Sequence, residues 1–298
     1  MSSESPVPDL RGKRVVVMGV AGRDSIAWSI ACAFARREAL VTITYQQKFL
    51  SRIRGLLKDF PMVSALRCDV TSDAELEHFF ASFAEPIDVL VHSIAFAPAE
   101  TFNRPPSEVS REAFAETMAV SVQSLPSIVR WAKPKLRPWA SVLTLSYQAS
   151  VRARPGYGIM GVAKAALESM VRYLAIELGS NRVRINAISP GPIATVAALS
   201  EIVAFRRSGK PSSEASPTLR NALERARSES GLDELDDVEF AHRVWKHLQK
   251  RFADASAIPE LAEAVDVADC ALFLGSDLSR KITGQVFLVD CGHSICEI

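Results

Sequence analysis

The sequence predicts an α/β protein: one doubly wound domain in which a seven-stranded parallel sheet carries helices on both faces. Two observations predict it. Short apolar runs alternate with longer helical patterns from the start of the chain to its end. Several runs, VVVMG and VLVHSIA among them, are apolar at consecutive positions rather than at every second one, as expected of strands covered on both faces. The first strand is RVVVMG (14–19), followed by a helix over 25–37 and a second strand LVTITY (40–45), which together make a βαβ opening. The series continues through VSALRCDV (63–70), IDVLVHSIA (87–95), ASVLTLS (140–146) and RVRINAIS (182–189) and closes with VFLVD (286–290).

At 298 residues the chain fits either two domains or one large one. The surplus over one sheet lies at 206–259, which offers no strand but two helical pieces, 217–228 and 237–252. The second places Val238, Ala241, Trp245, Leu248 and Phe252 three to four apart, an apolar stripe that must pack against something, with Asp236 and Asp237 suited to its N-terminus. We therefore expect one domain, 1–298, with 206–259 as a helical insertion rather than a separate domain.

Charge and cysteine content exclude several classes. Against 35 Lys and Arg stand 34 Asp and Glu, a net charge of +1, so no global field favours nucleic acid or an anionic membrane. The insertion's ten basic and nine acidic residues nearly cancel as well. Five scattered cysteines form no CxxC pair, which points away from a disulfide framework or a zinc site and toward a reducing cytoplasm. No apolar run reaches the roughly 18 residues of a membrane span, and the start, MSSESPVPDLRGK, lacks the apolar core of a secretion signal. A soluble, unprocessed protein is the expectation.

Two motifs carry chemistry. After the first strand, Gly19-Val-Ala-Gly22-Arg-Asp-Ser25-Ile26-Ala27 turns into a helix whose free N–H groups and positive dipole end suit a pyrophosphate. Glycines at such turns are also common for conformational reasons alone. Farther on, Tyr157 and Lys164 stand seven apart, two helical turns, so both project from nearly one face toward a common ligand. A lysine ammonium beside a phenol is expected to lower its pKa and ready it as a proton or hydrogen-bond donor to a developing oxyanion.

Together with His92-Ser-Ile-Ala-Phe-Ala-Pro98, LTLSYQASVRARPGYGIMGVAK (143–164), RINAISPGPIAT (184–195) and LGSDLSRKITGQVFLVD (274–290), these motifs resemble the short-chain dehydrogenase/reductase superfamily. Within it they resemble the enoyl-acyl-carrier-protein reductases, in family order and over roughly four-fifths of the chain. The resemblance implies a Rossmann-type domain that transfers hydride to the β-carbon of a trans-2-enoyl thioester in fatty-acid synthesis. It implies Tyr147, Tyr157 and Lys164 as catalytic residues, Tyr147 lining the substrate pocket and Tyr157 bonding the thioester carbonyl. Lys164 would hold the nicotinamide ribose. Cofactor contacts carried over are Gly19, Ala21, Ser25 and Ile26 at the phosphates, Asp69 and Val70 at the adenine, Ser93 and Ala95 along the ribose and nicotinamide, and Ile193 and Thr195 at the carboxamide and pyrophosphate. Asp69 is also suited to an ordinary turn or cap. Met160 and Phe205 are pocket candidates that suit core packing equally.

Gln46 stands at the end of the second strand, where an Asp or Glu would signal NADH; the Tyr-Gln ending resembles NADH-using relatives, with NADPH as the alternative and Lys48 the nearby cation. The family resemblance also implies an acyl carrier protein or acyl thioester partner, with Arg206, Arg207 and Lys210 as a local basic patch, and a homotetramer. Departures are informative. Carbonyl-reducing relatives use a Ser about thirteen residues before the tyrosine and an Asn on an earlier helix; here Thr144 takes that offset and 118–125 contains no Asn, which favours enoyl reduction. Ala95 and Asp290-Cys291-Gly292 depart from the enoyl pattern, which has glycine at position 95 and Asp-Gly-Gly at 290–292. A carbonyl or secondary-metabolite reductase on the same scaffold, and a non-catalytic nucleotide-binding regulator, are the competing readings.

Overall fold

The computed structural model describes residues 8–229 and 231–296. Residues 1–7 of the polar start and Ser230 of the insertion lie outside the described residues. Seven parallel strands form one sheet: β1 (Arg14–Met18), β2 (Leu40–Tyr45), β3 (Val63–Arg67), β4 (Ile87–His92), β5 (Leu136–Leu145), β6 (Arg184–Pro190) and β7 (Val286–Val289), in the order β3-β2-β1-β4-β5-β6-β7. Every expected strand is present. β4 and β6 are buried at each residue, which is why their sequences are largely apolar and polar groups such as His92, Arg184 and Asn186 are bonded internally, whereas the edge strands β3 and β7 are partly exposed.

Helices α1 (Ile26–Arg36), α2 (Leu50–Asp59) and α10 (Ala264–Gly275) cover one face, and α3 (Asp73–Ala81), α5 (Ser124–Ala132) and α6 (Ile159–Gly179) the other. α4 (Arg111–Met118) continues through a π-helical turn at Ala119–Gln123 into α5. Side chains fix the helix starts: Ser25 accepts from Trp28 N–H and Ser72 from Glu75 N–H, while Glu263 and Asp266 form a reciprocal capping box.

After β6 the chain enters α7 (Val196–Arg207), then α8 (Pro217–Arg227) and α9 (Asp237–Asp254), within and around the expected insertion. α9 packs on α7 and α8 around a separate apolar cluster containing Leu199, Ile202, Phe205, Leu223, Trp245 and Phe252. The expected stripe is corrected at one position. Val238 is 60% exposed, and Phe240 and Val244 are buried, because the packing of α9 on α7 and α8 turns the side of the helix carrying Phe240, Val244 and Leu248 inward. The three expected docking cations are committed within the chain. Arg206 donates to the carbonyl oxygens of Asp233, Leu235 and Asp236, and its guanidinium carbon lies 4.4 Å from the Phe240 ring centroid. Arg207 pairs with Asp237 at 2.7 Å and Lys210 with Glu214 at 3.5 Å. The positive charge at 206–210 is therefore largely balanced, and the basic-patch expectation is corrected.

Candidate active site

Because β1 pairs with β2 on one side and β4 on the other, the sheet's direction of winding reverses between β1 and β4, and a crevice opens outside their C-terminal ends. A Cβ on Gly19 (φ +96°) would lie 2.3 Å from Ser93 O, so glycine alone lets the first loop close against the end of β4. The N-terminus of α1, whose first N–H groups have no partner within the helix, then faces the cleft through Ser25 and Ile26. The loop and the amide-rich helix start are the cradle a dinucleotide requires.

The cleft, of about 250 Å³, is also lined by Ala21, Ser93, Ala95, Tyr147, Tyr157, Met160, Lys164, Ile193 and Thr195. Twelve sequence-expected site residues thus converge from five separate segments. Gln46, Asp69 and Val70 lie outside this lining, at the ends of β2 and β3. Asp69 accepts from the backbone and hydroxyl of Thr71, the turn role left open above. Phe205 is corrected. It is buried in the cluster under α9 and lines a neighbouring cavity instead, since it sits one turn beyond Glu201, where α7 has left the cleft.

Tyr147 and Tyr157 stack with ring centroids 5.1 Å apart. Lys164 projects from the second turn of α6 and donates to Leu145 O at 2.8 Å; burial pulls its pKa down to about 8, with Glu168 opposing. Ser146 donates to Glu168. The expected effect of the lysine on the phenol is also corrected. Burial, reinforced by Tyr147, pushes Tyr157 above the ordinary phenol range, and Arg154 is the cation that opposes the shift. Tyr157 therefore stays protonated throughout the neutral range and can donate. His92 bonds Thr144 Oγ1 at 2.8 Å and Ser124 Oγ at 2.9 Å, and burial, with Lys164 nearby, holds it down to about 3, so it is neutral. Thr144 is fully buried and its hydroxyl is engaged with His92, away from the cleft.

Among the lining residues that the sequence did not mark as site residues are Arg154, Glu201 and Trp245. Arg154 Nη1 donates to Tyr147 Oη at 2.7 Å, its guanidinium carbon lies 5.8 and 5.9 Å from the two tyrosine centroids, and its other terminal nitrogen is 4.0 Å from Glu201. Burial works against the Arg154 charge, yet Tyr147, Glu201 and Tyr157 hold it above its ordinary value. Burial raises Glu201, with Arg154 opposing. Nothing local marks these positions, since 154, 201 and 245 come from a loop and two helices. The apolar spacing of α9 announced Trp245 as core, which it is, as well as wall.

The geometry agrees with what known proteins share. A family model described as "Enoyl-(Acyl carrier protein) reductase" matches residues 19–227 and 238–294. The enoyl-[acyl-carrier-protein] reductase [NADH] 1 of Rhizobium meliloti is 36% identical over 288 residues, covering 95% of this chain and 91% of that protein. The NADH enzyme of Aquifex aeolicus is also 36% identical, over 96% of this chain and 93% of its own. Its crystal structure superposes with a TM-score of 0.78 over 97% of this chain and 99% of that one, at 33% identity. The Bacillus cereus enoyl-acyl carrier protein reductase, solved with NADP+ and an indole naphthyridinone, gives 0.79 over 98% and 100%, at 31% identity. With the family model matching most of its length, the chain belongs to the enoyl-(acyl carrier protein) reductase family.

Proposed function

We propose that the protein is an NADH-dependent enoyl-thioester reductase of fatty-acid synthesis, acting on acyl chains carried by acyl carrier protein. The observation that carries this reading is the convergence of Tyr147, Tyr157 and Lys164 beside the glycine turn at the sheet's reversal point. Gly19, Ala21, Ser25 and Ile26 would hold the pyrophosphate, Ser93, Ala95 and Lys164 the ribose and nicotinamide, and Ile193 and Thr195 the carboxamide side, with Gln46, Asp69 and Val70 toward the adenine. Bound there, NADH supplies the hydride that reaches the substrate β-carbon. The NADH named for the Rhizobium and Aquifex relatives supports that cofactor over NADPH.

The chain's own groups then have defined tasks. Tyr157, kept neutral by burial, donates to the thioester oxygen as negative charge gathers there. Lys164 retains its proton below about pH 8 and, fixed by Leu145 O, would hold the ribose through its remaining N–H groups. Phe102 and Met160 wall the reacting region against water. Segment 206–259 shapes the acyl end, supported by Trp245 in the lining and by the gap at 228–237 in the family match, between α8 and α9. Exposed Val162, Tyr173 and Ile176 along α6 support assembly with further copies, a homotetramer in this reading. Five free thiols support a reducing cytoplasm, and among the described residues no helix is long and apolar enough to cross a membrane.

Carbonyl reduction on the same scaffold is disfavoured because the Thr144 hydroxyl is bonded to His92. The test is NADH and NADPH oxidation with crotonyl and longer enoyl thioesters and then with β-ketoacyl thioesters. Turnover of the enoyl series with NADH is expected; turnover of the keto series alone would refute the proposal.

A further inference from the structure

An acyl pocket for a plain hydrocarbon needs only apolar walls, yet this one contains a half-buried guanidinium, a buried carboxylate and a buried indole N–H. Glu201 is 9% exposed, and the Arg154 side chain 24%. Their closest approach, 4.0 Å, is longer than a hydrogen bond, so the two attract without bonding each other, and Arg154 Nη1 is engaged by Tyr147 Oη instead. Trp245, 4% exposed and part of the same lining, has no partner for Nε1 among the described residues. The groups are neighbours: the Phe252 ring lies 5.4 Å from the Arg154 guanidinium carbon and 6.1 Å, centroid to centroid, from Trp245. Unmet polar groups in a pocket discriminate strongly, because a ligand that cannot bond them leaves their desolvation uncompensated.

We propose that this end of the cleft recognises an uncharged oxygen, a hydroxyl or ketone, on the acyl chain, so that the preferred substrates are oxygenated enoyl thioesters rather than simple alkyl ones. The inference rests on the enoyl-reductase reading above. A ketone oxygen accepts from the Arg154 N–H groups or Trp245 Nε1; a hydroxyl does the same and also donates to the Glu201 carboxylate. A chain ending in a carboxylate is disfavoured, because Glu201 already supplies the negative charge next to Arg154. The oxygen is bound and not transformed, so the chemistry at the double bond is unchanged.

The test compares kcat/KM for trans-2-octenoyl-CoA with its 8-hydroxy, 7-oxo and 8-carboxylate (octenedioyl) counterparts, in the wild-type protein and in Trp245→Phe and Glu201→Leu. NADH Kd and thermal midpoint are measured on each variant to establish folding. In the wild type the hydroxy or oxo chain is expected to exceed the alkyl chain by about tenfold, the scale of one buried unmet donor. Trp245→Phe is expected to narrow the oxo-to-alkyl ratio, and Glu201→Leu the hydroxy-to-alkyl ratio. An alkyl chain reduced as well as either, or a carboxylate reduced best, overturns the inference and leaves the reductase reading standing. No turnover of any chain, the alkyl one included, overturns the reductase reading and the inference with it. The wild-type comparison decides even if both variants misfold.

Discussion

Replacing Arg154 by Met, Glu201 by Leu, and both together tests whether the cleft's charges are a coupled buried pair. Two unit charges 4.0 Å apart at an effective dielectric of about 20 attract by roughly 4 kcal/mol. Since the arginine side chain is a quarter exposed, solvent reduces this to about 2 kcal/mol. Arg154→Met removes the attraction, frees Tyr147 Oη of its donor and leaves Glu201 buried alone, a loss of about 2 kcal/mol, or about 4 °C in Tm for a chain of this size. Glu201→Leu strands the guanidinium but leaves its bond to Tyr147, a loss of about 1 kcal/mol. Burial raises the Glu201 pKa despite Arg154, so the folded state binds a proton more tightly than the unfolded one. Stability from this group is then present at low pH and lost as pH rises through its folded value. The ionised pair is thus a net cost, and the double variant is expected to equal or exceed wild type at pH 7. Urea midpoints at pH 7 and pH 5 give the cycle. Single effects that add to within about 0.5 kcal/mol would refute the coupling and the geometry behind it.

Tyr157→Phe is expected to lower kcat about 100- to 1000-fold while NADH Kd stays within about twofold, read by steady-state turnover and fluorescence titration; equal losses in both would remove its assigned role. Because the Lys164 pKa falls from 10.5 to about 8 on folding, the unfolded chain holds the extra proton between those values. Stability should therefore rise with pH across that window, and Lys164→Met should abolish the rise in urea midpoint. Cys291 holds φ at +53°, a left-handed conformation that a side chain disfavours by about 1–2 kcal/mol, against an entropic cost of about 0.5–1 for glycine. Cys291→Gly should raise stability by about 1 kcal/mol, and a lowered thermal midpoint would count against it.

Much of the fold is legible because its signals are local. Ser25, Ser72, Ser216 and Asp236 each sit where a helix begins and each accepts a first-turn N–H. The continuous apolar character of β4 follows from covering both faces, a property of its own few residues. Val238 was misplaced because periodicity gives the width of an apolar arc but not its phase; the packing of α9 on α7 and α8 set the phase. Phe205 shows the same limit, since being on the right helix does not say at which turn that helix leaves the cleft. Arg206 and Arg207 read as free cations until the turn before α9 brought carbonyls and Asp237 to them.

By itself the sequence determined the succession of strands along the chain, the glycine turn and the helix caps, whereas the expected sharing of a helix face by Tyr157 and Lys164 is corrected. α6 begins at Ile159 and Gly158 (φ +52°) separates Tyr157 from it, so the path of the loop and not the helical repeat brings the two to one cleft. The strands, the turn and the caps depend on dihedral preference and local hydrogen bonding, which act within a few residues. Only the tertiary structure decided the electrostatics of the cleft. Arg154, Glu201 and Trp245 are separated by 47 and 44 residues in the chain, and their meeting depends on α7 and α9 folding back over the catalytic loop. The direction of the Tyr157 shift was decided there as well, since desolvation is a property of everything that surrounds a group and outweighs any single neighbouring charge.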